Sequence, residues 1–305
     1  MLLVIWGLGA IALLVLSFLT TGRLRLQAAF NIAGAAQAGS VAAAAIDLSL
    51  LQLARERSSE EQTGPGAPAT PTTHDGAPRF CALEDAVVAV AVEDESGKVD
   101  LNTAPEDLLR ELFSSLLGAG PAQADDLARA VMAFRAAPEN DLPEPPAADG
   151  KPFGPKRAPF QTTLELDQIA GLDSAAFHAL LPFVTVYSHS GGIDPQVAPP
   201  ALIAALLGAP RDEVAGLAAT PFPNAINRDD PRFPSAFRQS GARTAFLVHA
   251  ETILANGPGA AQERIVEMDS NDGAPFAVRE IRHGVSRYLD LLRPMRGKAG
   301  ALPPC

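Results

Sequence analysis

The sequence predicts an α+β fold in which one long N-terminal helix precedes an antiparallel sheet that a large helical segment interrupts. Three observations support this prediction. No proline occurs before Pro65, and this stretch is rich in good helix formers. Short apolar or alternating stretches near residue 90 and beyond residue 240 are typical of strands. Between them, apolar residues recur at helical spacing.

Composition excludes several classes of protein. The chain of 305 residues has 35 acidic and 24 basic side chains, a formal net charge of −11. Proteins that bind a nucleic-acid backbone carry a basic face, so this balance disfavours them. Cys81 and Cys305 are the only cysteines, too few for a disulfide scaffold or a four-cysteine zinc site.

The N-terminus is long and apolar enough to cross a membrane. Residues 1–22 carry no charged side chain, and Arg23 is the first. About twenty apolar residues span a bilayer as a helix, whereas a signal peptide has a basic start and a shorter apolar stretch. We predict a transmembrane and extended helix over residues 1–57. Small or apolar residues at helical spacing mark either an ordinary alanine-rich helix or a face that packs on neighbouring helices: Ile32, Ala35, Ala36, Gly39 and Ala43.

The rest of the chain divides by composition and period. Residues 58–80 are rich in Ser, Thr, Gly, Pro and Ala and predict a linker. Residues 81–96 hold an apolar, β-branched run, which predicts the first part of the sheet, and an acidic trio at 93–95, which predicts a solvated turn. Helical periods, including helices near 163–169 and 174–181, predict an inserted helical domain over 97–212. Residues 213–296 are predicted to form the remainder of the sheet, and residues 297–305 a tail. Within the remainder of the sheet, strands are predicted at 244–254, 263–268 and 276–283, with a turn at 272–273.

One turn-and-helix phrase occurs twice. Residues 97–105, GKVDLNTAP, align with residues 191–199, GGIDPQVAP, and apolar pairs follow both. The same entry into a helix is therefore predicted at both places. In the first copy, Thr103 and Glu106 also predict a capping box around Pro105.

No enzyme motif rises above background. The sequence has no HExxH pattern, nucleophile elbow, Walker loop or dinucleotide fingerprint. Ser188 and His189 are neighbours in sequence, but a catalytic triad is assembled in space and adjacency does not predict one. We predict that the chain is not an enzyme.

Four phrases in order resemble a known family. They are VEDESGKVDLNTAPEDLL, APFQTTLELDQIAGL, LLPFVTVYS and IDPQVAPPALIAALLG. After a charge-free N-terminal helix, they are similar to minor pseudopilin K (GspK) of the type II secretion system, in the type IV pilin-like superfamily. The resemblance implies a pilin-like fold, with the long helix packed on the sheet. It implies a subunit at the tip of the pseudopilus that helps to initiate assembly and the export of folded periplasmic proteins.

The resemblance also implies a location and partners. The family is single-pass in the inner membrane with its C-terminal domain in the periplasm. Its partners are minor pseudopilins I and J, then the pseudopilus shaft, and prepilin peptidase, which cleaves and methylates precursors. Arg23 and Arg25 alone would reverse this orientation by the positive-inside rule. We expect a basic leader before Met1, encoded or already removed, to restore it.

Position 5 bears on the tip assignment. Most pilins have a glutamate there, which neutralises the N-terminal amine of the subunit ahead, and here Ile5 takes its place. A subunit with nothing ahead has no amine to meet. We therefore assign Ile5, Trp6 and Leu13 to an assembly helix.

Two further site predictions concern calcium and the cysteines. The family binds calcium near the loop at 136–160, where the candidate ligands here are Asp141, Glu144 and Asp149. They supply only part of the six to eight oxygens that calcium takes. In the periplasm, Cys81 and Cys305 either form a bridge or stay two thiols, and the sequence leaves both open.

The alternative is a membrane-anchored DNA-binding protein of the ComEA competence type. The phrases DLNTAPEDLL and FQTTLELDQIAGL also resemble helix-hairpin-helix motifs, which hold DNA phosphates with backbone amides and nearby basic residues. Residues 99–207 contain few basic residues and no basic stripe. We expect no nucleic-acid partner.

Overall fold

The computed structural model describes residues 1–63, 74–137, 156–220, 226–240, 243–268 and 274–305. A long helix, α1, is followed by strands and helices that alternate in type along the chain. In order they are α1 (Leu2–Thr63), β1 (Arg79–Leu83), β2 (Ala86–Asp94), β3 (Val99–Asp100), α2 (Glu106–Leu112), α3 (Pro121–Arg135), α4 (Ser174–Leu180), β4 (Val184–Thr185), α5 (Pro200–Leu206), α6 (Arg211–Ala219), β5 (Ala245–Ile253), β6 (Gly259–Glu267), β7 (Ala277–His283) and α7 (Leu289–Leu292).

The main sheet is antiparallel, with strand order β1-β2-β5-β6-β7. Its two central strands pair along their length, with Val87 opposite Ile253 and Asp94 opposite Phe246. Since β2 and β5 are neighbours in space, the helices between them leave the sheet and return to it. The α+β prediction is confirmed.

One face of the sheet packs on α1. Small side chains let the helix backbone approach, and the buried stripe begins where α1 enters the head: Gly34, Ala38, Ala42, Ala45, Ile46, Leu50 and Leu53. They meet alternate residues of β2 and β5, such as Val88, Val90 and Val248. The predicted stripe lies beside this face, since Ile32, Ala35 and Ala36 stay exposed.

Two bodies cover the other face. The helical insert, residues 97–240, has its own core, which Leu247 and Ile265 of the sheet join. The C-terminal segment, residues 286–305, covers Val87, Ala89 and Ala91 with Tyr288, Leu292 and Ala299. Both faces of β2 and β5 are therefore buried.

The repeated phrase builds the same turn twice, as predicted. Asp100 and Asp194 each accept a hydrogen bond from the backbone N–H two residues later. Their carbonyls accept from Ala104 and Ala198. Proline then precedes a helix in both copies, at Pro105 before α2 and Pro199 before α5.

Four local predictions were wrong. The first helix continues past residue 57 to Thr63, because no proline stops it earlier. Residues Thr163–Gln168 form a 3-10 helix. The capping box does not form, since Thr103 donates instead to the Ser190 carbonyl. The acidic trio is not solvated: Asp94 and Glu95 are buried beneath the insert. The predicted turn at 272–273 lies outside the described residues.

Candidate functional site

The N-terminal part of α1 is a helix whose apolar side chains are exposed. Every large apolar side chain described from Val4 to Ile32 is more than half exposed, including Ile5, Trp6 and Leu13. In the described part of the chain, one helix is long and apolar enough to cross a membrane, judged by length and composition. It carries no acidic residue before Asp47. The structure thus leaves the predicted assembly residues free of contacts with the head.

The head meets α1 first through the turn between β5 and β6. A Cβ added to Gly34 would lie 2.5 Å from Pro258 Cγ, so only glycine permits this approach. Gly34 is twelve residues after Gly22, roughly 18 Å along the helix. The head therefore begins just beyond the charge-free segment.

The C-terminal tail is covalently joined to the edge of the sheet. Cys81 in β1 and Cys305 form a disulfide, with their Cα atoms 5.0 Å apart. The tail also pairs with β1, because Ala82 donates to the Pro303 carbonyl and Cys305 donates to the Ala82 carbonyl. A covered edge no longer offers a row of free hydrogen-bonding groups to other chains.

A buried charged cluster lies between the sheet, the insert and the C-terminal segment. His249 of β5 is fully buried, with Nε2 2.8 Å from Glu251 and Nδ1 2.8 Å from Glu263. Burial alone would lower the pKa of His249, but hydrogen bonds to the two carboxylates raise it above its ordinary value. The same hydrogen bonds offset the effect of burial on Glu251 and Glu263 and lower the pKa of both.

Lys98 and Arg287 complete the cluster. The Lys98 ammonium lies 2.7 Å from Glu93 and 2.8 Å from Glu95, and the Arg287 guanidinium bridges Glu93 and Glu263. Burial would raise the pKa of Glu93, but the two cations hold it well below its ordinary value. A lone buried charge would be costly, whereas these are paired and hydrogen-bonded. The cluster joins the insert to the sheet.

Ser188 and His189 form no triad. Asp100 is fully buried and accepts from the Ser188 hydroxyl at 3.2 Å and from the His189 backbone N–H at 2.8 Å. The His189 side chain is 67% exposed and points away from that carboxylate toward Glu267. These contacts stabilise a turn between the two copies of the repeated phrase.

The two ends of the loop predicted to hold calcium contact each other within the insert. Phe134 and Phe160 stack with ring centroids 4.5 Å apart, and Ala158 donates to the Phe134 carbonyl. Asp141, Glu144 and Asp149 lie outside the described residues. Within the described ranges, no group of three His, Cys, Asp or Glu side chains is arranged to hold a metal. Calcium binding stays a prediction.

A protein-family comparison matches the middle of the chain. A family described as type II secretion system (T2SS), protein K, matches residues 87–189, from β2 through β4. The predicted resemblance to protein K is confirmed. Protein K is a structural subunit and not an enzyme, in agreement with the absence of an enzyme motif from the sequence.

The fold of most of the chain is also similar to that of a chain in a solved complex. A chain of the GspK-GspI-GspJ complex from the type 2 secretion system of enterotoxigenic Escherichia coli superposes with a TM-score of 0.57. The two sequences are 18% identical, and the match covers 87% of this chain and 100% of the other. No curated protein sequence matches the chain. At this identity the likeness is one of fold.

The protein K match includes part of the buried cluster. Glu93, Glu95 and Lys98 lie within it, whereas His249 and Arg287 lie beyond it. Sequence reasoning missed this cluster, because acidic residues at a strand end usually indicate a solvated turn. One signal was available: polar residues His249, Glu251 and Glu263 all fall on one face of predicted strands.

Proposed function

We propose that this protein is the tip subunit of the type II secretion pseudopilus. It would help to initiate assembly of the pseudopilus and the export of folded periplasmic proteins. The observation that carries the proposal is the acid-free, exposed apolar part of α1, with Ile5 where most pilins have a glutamate.

A carboxylate within lipid is costly unless it is paired. A subunit inside the shaft recovers this cost when its glutamate meets the amine of the subunit ahead. A tip subunit has no such partner, so an apolar residue suits it. Because the first acidic residue of the chain is Asp47, the argument does not depend on the register of the first helix.

We propose that the head lies in the periplasm. The Cys81–Cys305 disulfide supports this side of the membrane, because disulfides persist in oxidising compartments such as the periplasm and are rare in the cytosol. The anchor would be the exposed apolar part of α1, in a single pass through the inner membrane.

We propose minor pseudopilins I and J as its neighbours. The similar solved fold belongs to a complex that contains GspI and GspJ. The exposed α1 would pack with their N-terminal helices and then with the shaft. Processing by prepilin peptidase would precede assembly where a leader is encoded.

The DNA-binding alternative gains no support from the insert. Two of its exposed arginines, Arg110 and Arg129, pair with Asp125 and Asp126. Lys156 lies 2.6 Å from Glu165. Cations already neutralised by carboxylates are poor ligands for a phosphate backbone.

The test is Ile5→Glu. With no amine ahead, the carboxylate should cost about 2 to 3 kcal/mol in the membrane without compensation. We expect reduced secretion of a type II substrate in a strain that carries only the variant. Secretion and subunit abundance are measured together, so that loss of assembly is distinguished from loss of protein.

Two matched variants separate the effect of charge from the effect of replacing Ile5. Ile5→Leu keeps the site apolar and should secrete normally, and Ile5→Gln adds polarity without charge and should be intermediate. Full secretion by Ile5→Glu at normal abundance would contradict the tip assignment and favour a position within the shaft.

A further inference from the structure

His249 lies where three parts of the molecule meet. It projects from β5 on the face opposite α1, beneath the first residues of the C-terminal segment. The ring of Tyr288 covers it edge-on, with ring centroids 5.5 Å apart. None of its surface is exposed.

The contacts of the ring define its protonation state. Nδ1 lies 2.8 Å from Glu263 Oε1, and Nε2 lies 2.8 Å from Glu251 Oε1. A neutral imidazole donates through one nitrogen and accepts through the other, whereas a carboxylate can only accept. Burial would raise the pKa of Glu251 and Glu263, but their hydrogen bonds lower it, so both face the ring as carboxylates. Both hydrogen bonds then require a proton on each ring nitrogen, and we assign His249 as an imidazolium.

One of the two carboxylates also holds the C-terminal segment. Glu251 accepts from the backbone N–H groups of Arg287 and Tyr288, the latter at 3.0 Å. Its second oxygen lies 3.3 Å from the Ser286 hydroxyl. Glu251 thus anchors three consecutive residues of the segment to the sheet while the imidazolium balances its charge.

Charged groups from several elements form the network around His249. Four carboxylates and two other cations belong to it: Glu251 from β5, Glu263 from β6, Glu93 from β2, Glu95 and Lys98 from the turn after β2, and Arg287 from the C-terminal segment. Strand β7 adds Arg282, opposite Glu263, and Glu280, which form an ion pair with each other and leave the net charge unchanged. With the imidazolium, four negative charges face three positive ones. Loss of its proton leaves four facing two, and one carboxylate then faces a nitrogen lone pair.

The far end of the segment is held independently. The Cys81–Cys305 disulfide joins it to β1, about twenty residues from the His249 contact. Between the two attachments, Leu292 and Ala299 cover the apolar face of β2. Release at the His249 end would free this part without detaching the tail.

We propose that His249 is a pH-sensitive latch, which fastens residues 286–292 to the sheet as the imidazolium and releases them when it loses its proton. The direction of the pH dependence follows from this pKa shift. The pKa of His249 is higher in the folded protein than in the unfolded chain, where it is about 6.5. The protonated ring therefore stabilises the folded protein fully below the unfolded pKa, and this stabilisation is lost as pH rises through the folded pKa.

The test uses the full-length protein in detergent micelles, with ¹⁵N-labelled histidine. We expect the His249 side chain to show two protonated nitrogens at pH 7.5, where an unperturbed imidazole is mostly neutral. Hydrogen exchange of the same sample is followed at pH 6 and pH 9.5. Exchange protection of residues 286–292, corrected for intrinsic rates, should fall at least tenfold at the higher pH.

Two variants and a reductant complete the design. His249→Gln removes the positive charge that balances Glu251 and Glu263, so its segment should be poorly protected at both pH values. His178→Gln, on the exposed side of α4, should behave as wild type. Reduction of the disulfide should extend the alkaline release to residues 299–305. A neutral His249 at pH 6, or equal protection of residues 286–292 at both pH values in wild type, would overturn the proposal. Both measurements on wild type decide it even where His249→Gln fails to fold.

Discussion

At the residue scale, Gly97 determines how closely the two copies of the repeated turn approach. A Cβ at this position would lie 2.7 Å from the backbone of Ala198 and of Val197 in the second copy. Backbone cannot rotate away as a flexible side chain can. The Asp194 N–H donates to the Ser96 carbonyl at 2.9 Å beside this contact, so the two copies are joined where the glycine lets them meet.

Gly97→Ala should separate the two copies. Overpacking of this kind costs about 1 to 3 kcal/mol, and we expect the free energy of unfolding to fall by that amount in urea titrations. The matched variant is Gly216→Ala, within α6, where an added Cβ meets nothing. Alanine is the better helix former, so this change should stabilise by up to about 1 kcal/mol. Equal stability of the two variants would contradict the close approach.

Residue-scale prediction from sequence succeeded for local features and failed for long-range ones. The turns at Asp100 and Asp194 follow from short phrases, because the hydrogen bonds join residues two to four apart. The ion pair between Lys98 and Glu93 is also short-range, but its burial is not, since the insert and Arg287 enclose it. No residue within ten positions of Glu93 indicates that Arg287 lies beside it in the folded protein.

At the element scale, α1 has two parts with opposite surroundings. From Val4 to Ile32 its described apolar residues face outward, whereas from Gly34 onward one stripe is buried against β2, β5 and β6. Asp47 and Arg264 add an ion pair between the helix and β6. The head therefore holds its end of α1 by its own contacts and does not depend on the first part for packing.

Removal of residues 1–23 should consequently leave a folded, soluble protein. Residues 24–305 retain the whole buried stripe of α1 and both cores on the sheet. We expect a cooperative thermal transition by circular dichroism and a monomer by size-exclusion chromatography with light scattering. A second truncation that starts at residue 47 should lose several degrees in Tm, because it removes five residues of the buried stripe: Gly34, Ala38, Ala42, Ala45 and Ile46. A first truncation that aggregates without a cooperative transition would contradict a separately folded head.

Elements were easier to predict than their limits. Strands with apolar residues on a regular period, such as β2 and β5, were predicted to within two residues. Strand β6 begins at Gly259, four residues before its prediction, because its first residues have no apolar alternation and are ordered by pairing with β5. The ends of such a strand depend on the strand with which it pairs. That strand is not identified by the residues immediately around the end.

At the scale of the whole molecule, the Cys81–Cys305 disulfide closes almost the entire head into one ring. The bridge joins residues 224 positions apart, so the insert and four of the five main strands lie within the closed loop. Cross-links over long loops remove the most conformational freedom from the unfolded chain. Folded, the same bridge fixes a tail that packs on β1.

Reduction of the bridge should therefore destabilise the whole head rather than fray its tail alone. Loss of a native disulfide typically costs about 2 to 4 kcal/mol, and for a domain of this size each kcal/mol lowers Tm by roughly 2 to 4 °C. We expect calorimetry of residues 24–305 to show a single transition that moves down by about 5 to 15 °C in reductant. The double variant Cys81→Ser with Cys305→Ser should melt near the reduced protein and ignore the reductant, which isolates the bridge from other effects of the reagent. An unchanged Tm on reduction would mean that the tail contributes only local contacts at the edge of the sheet, since a ring that constrains the unfolded chain cannot be opened without cost.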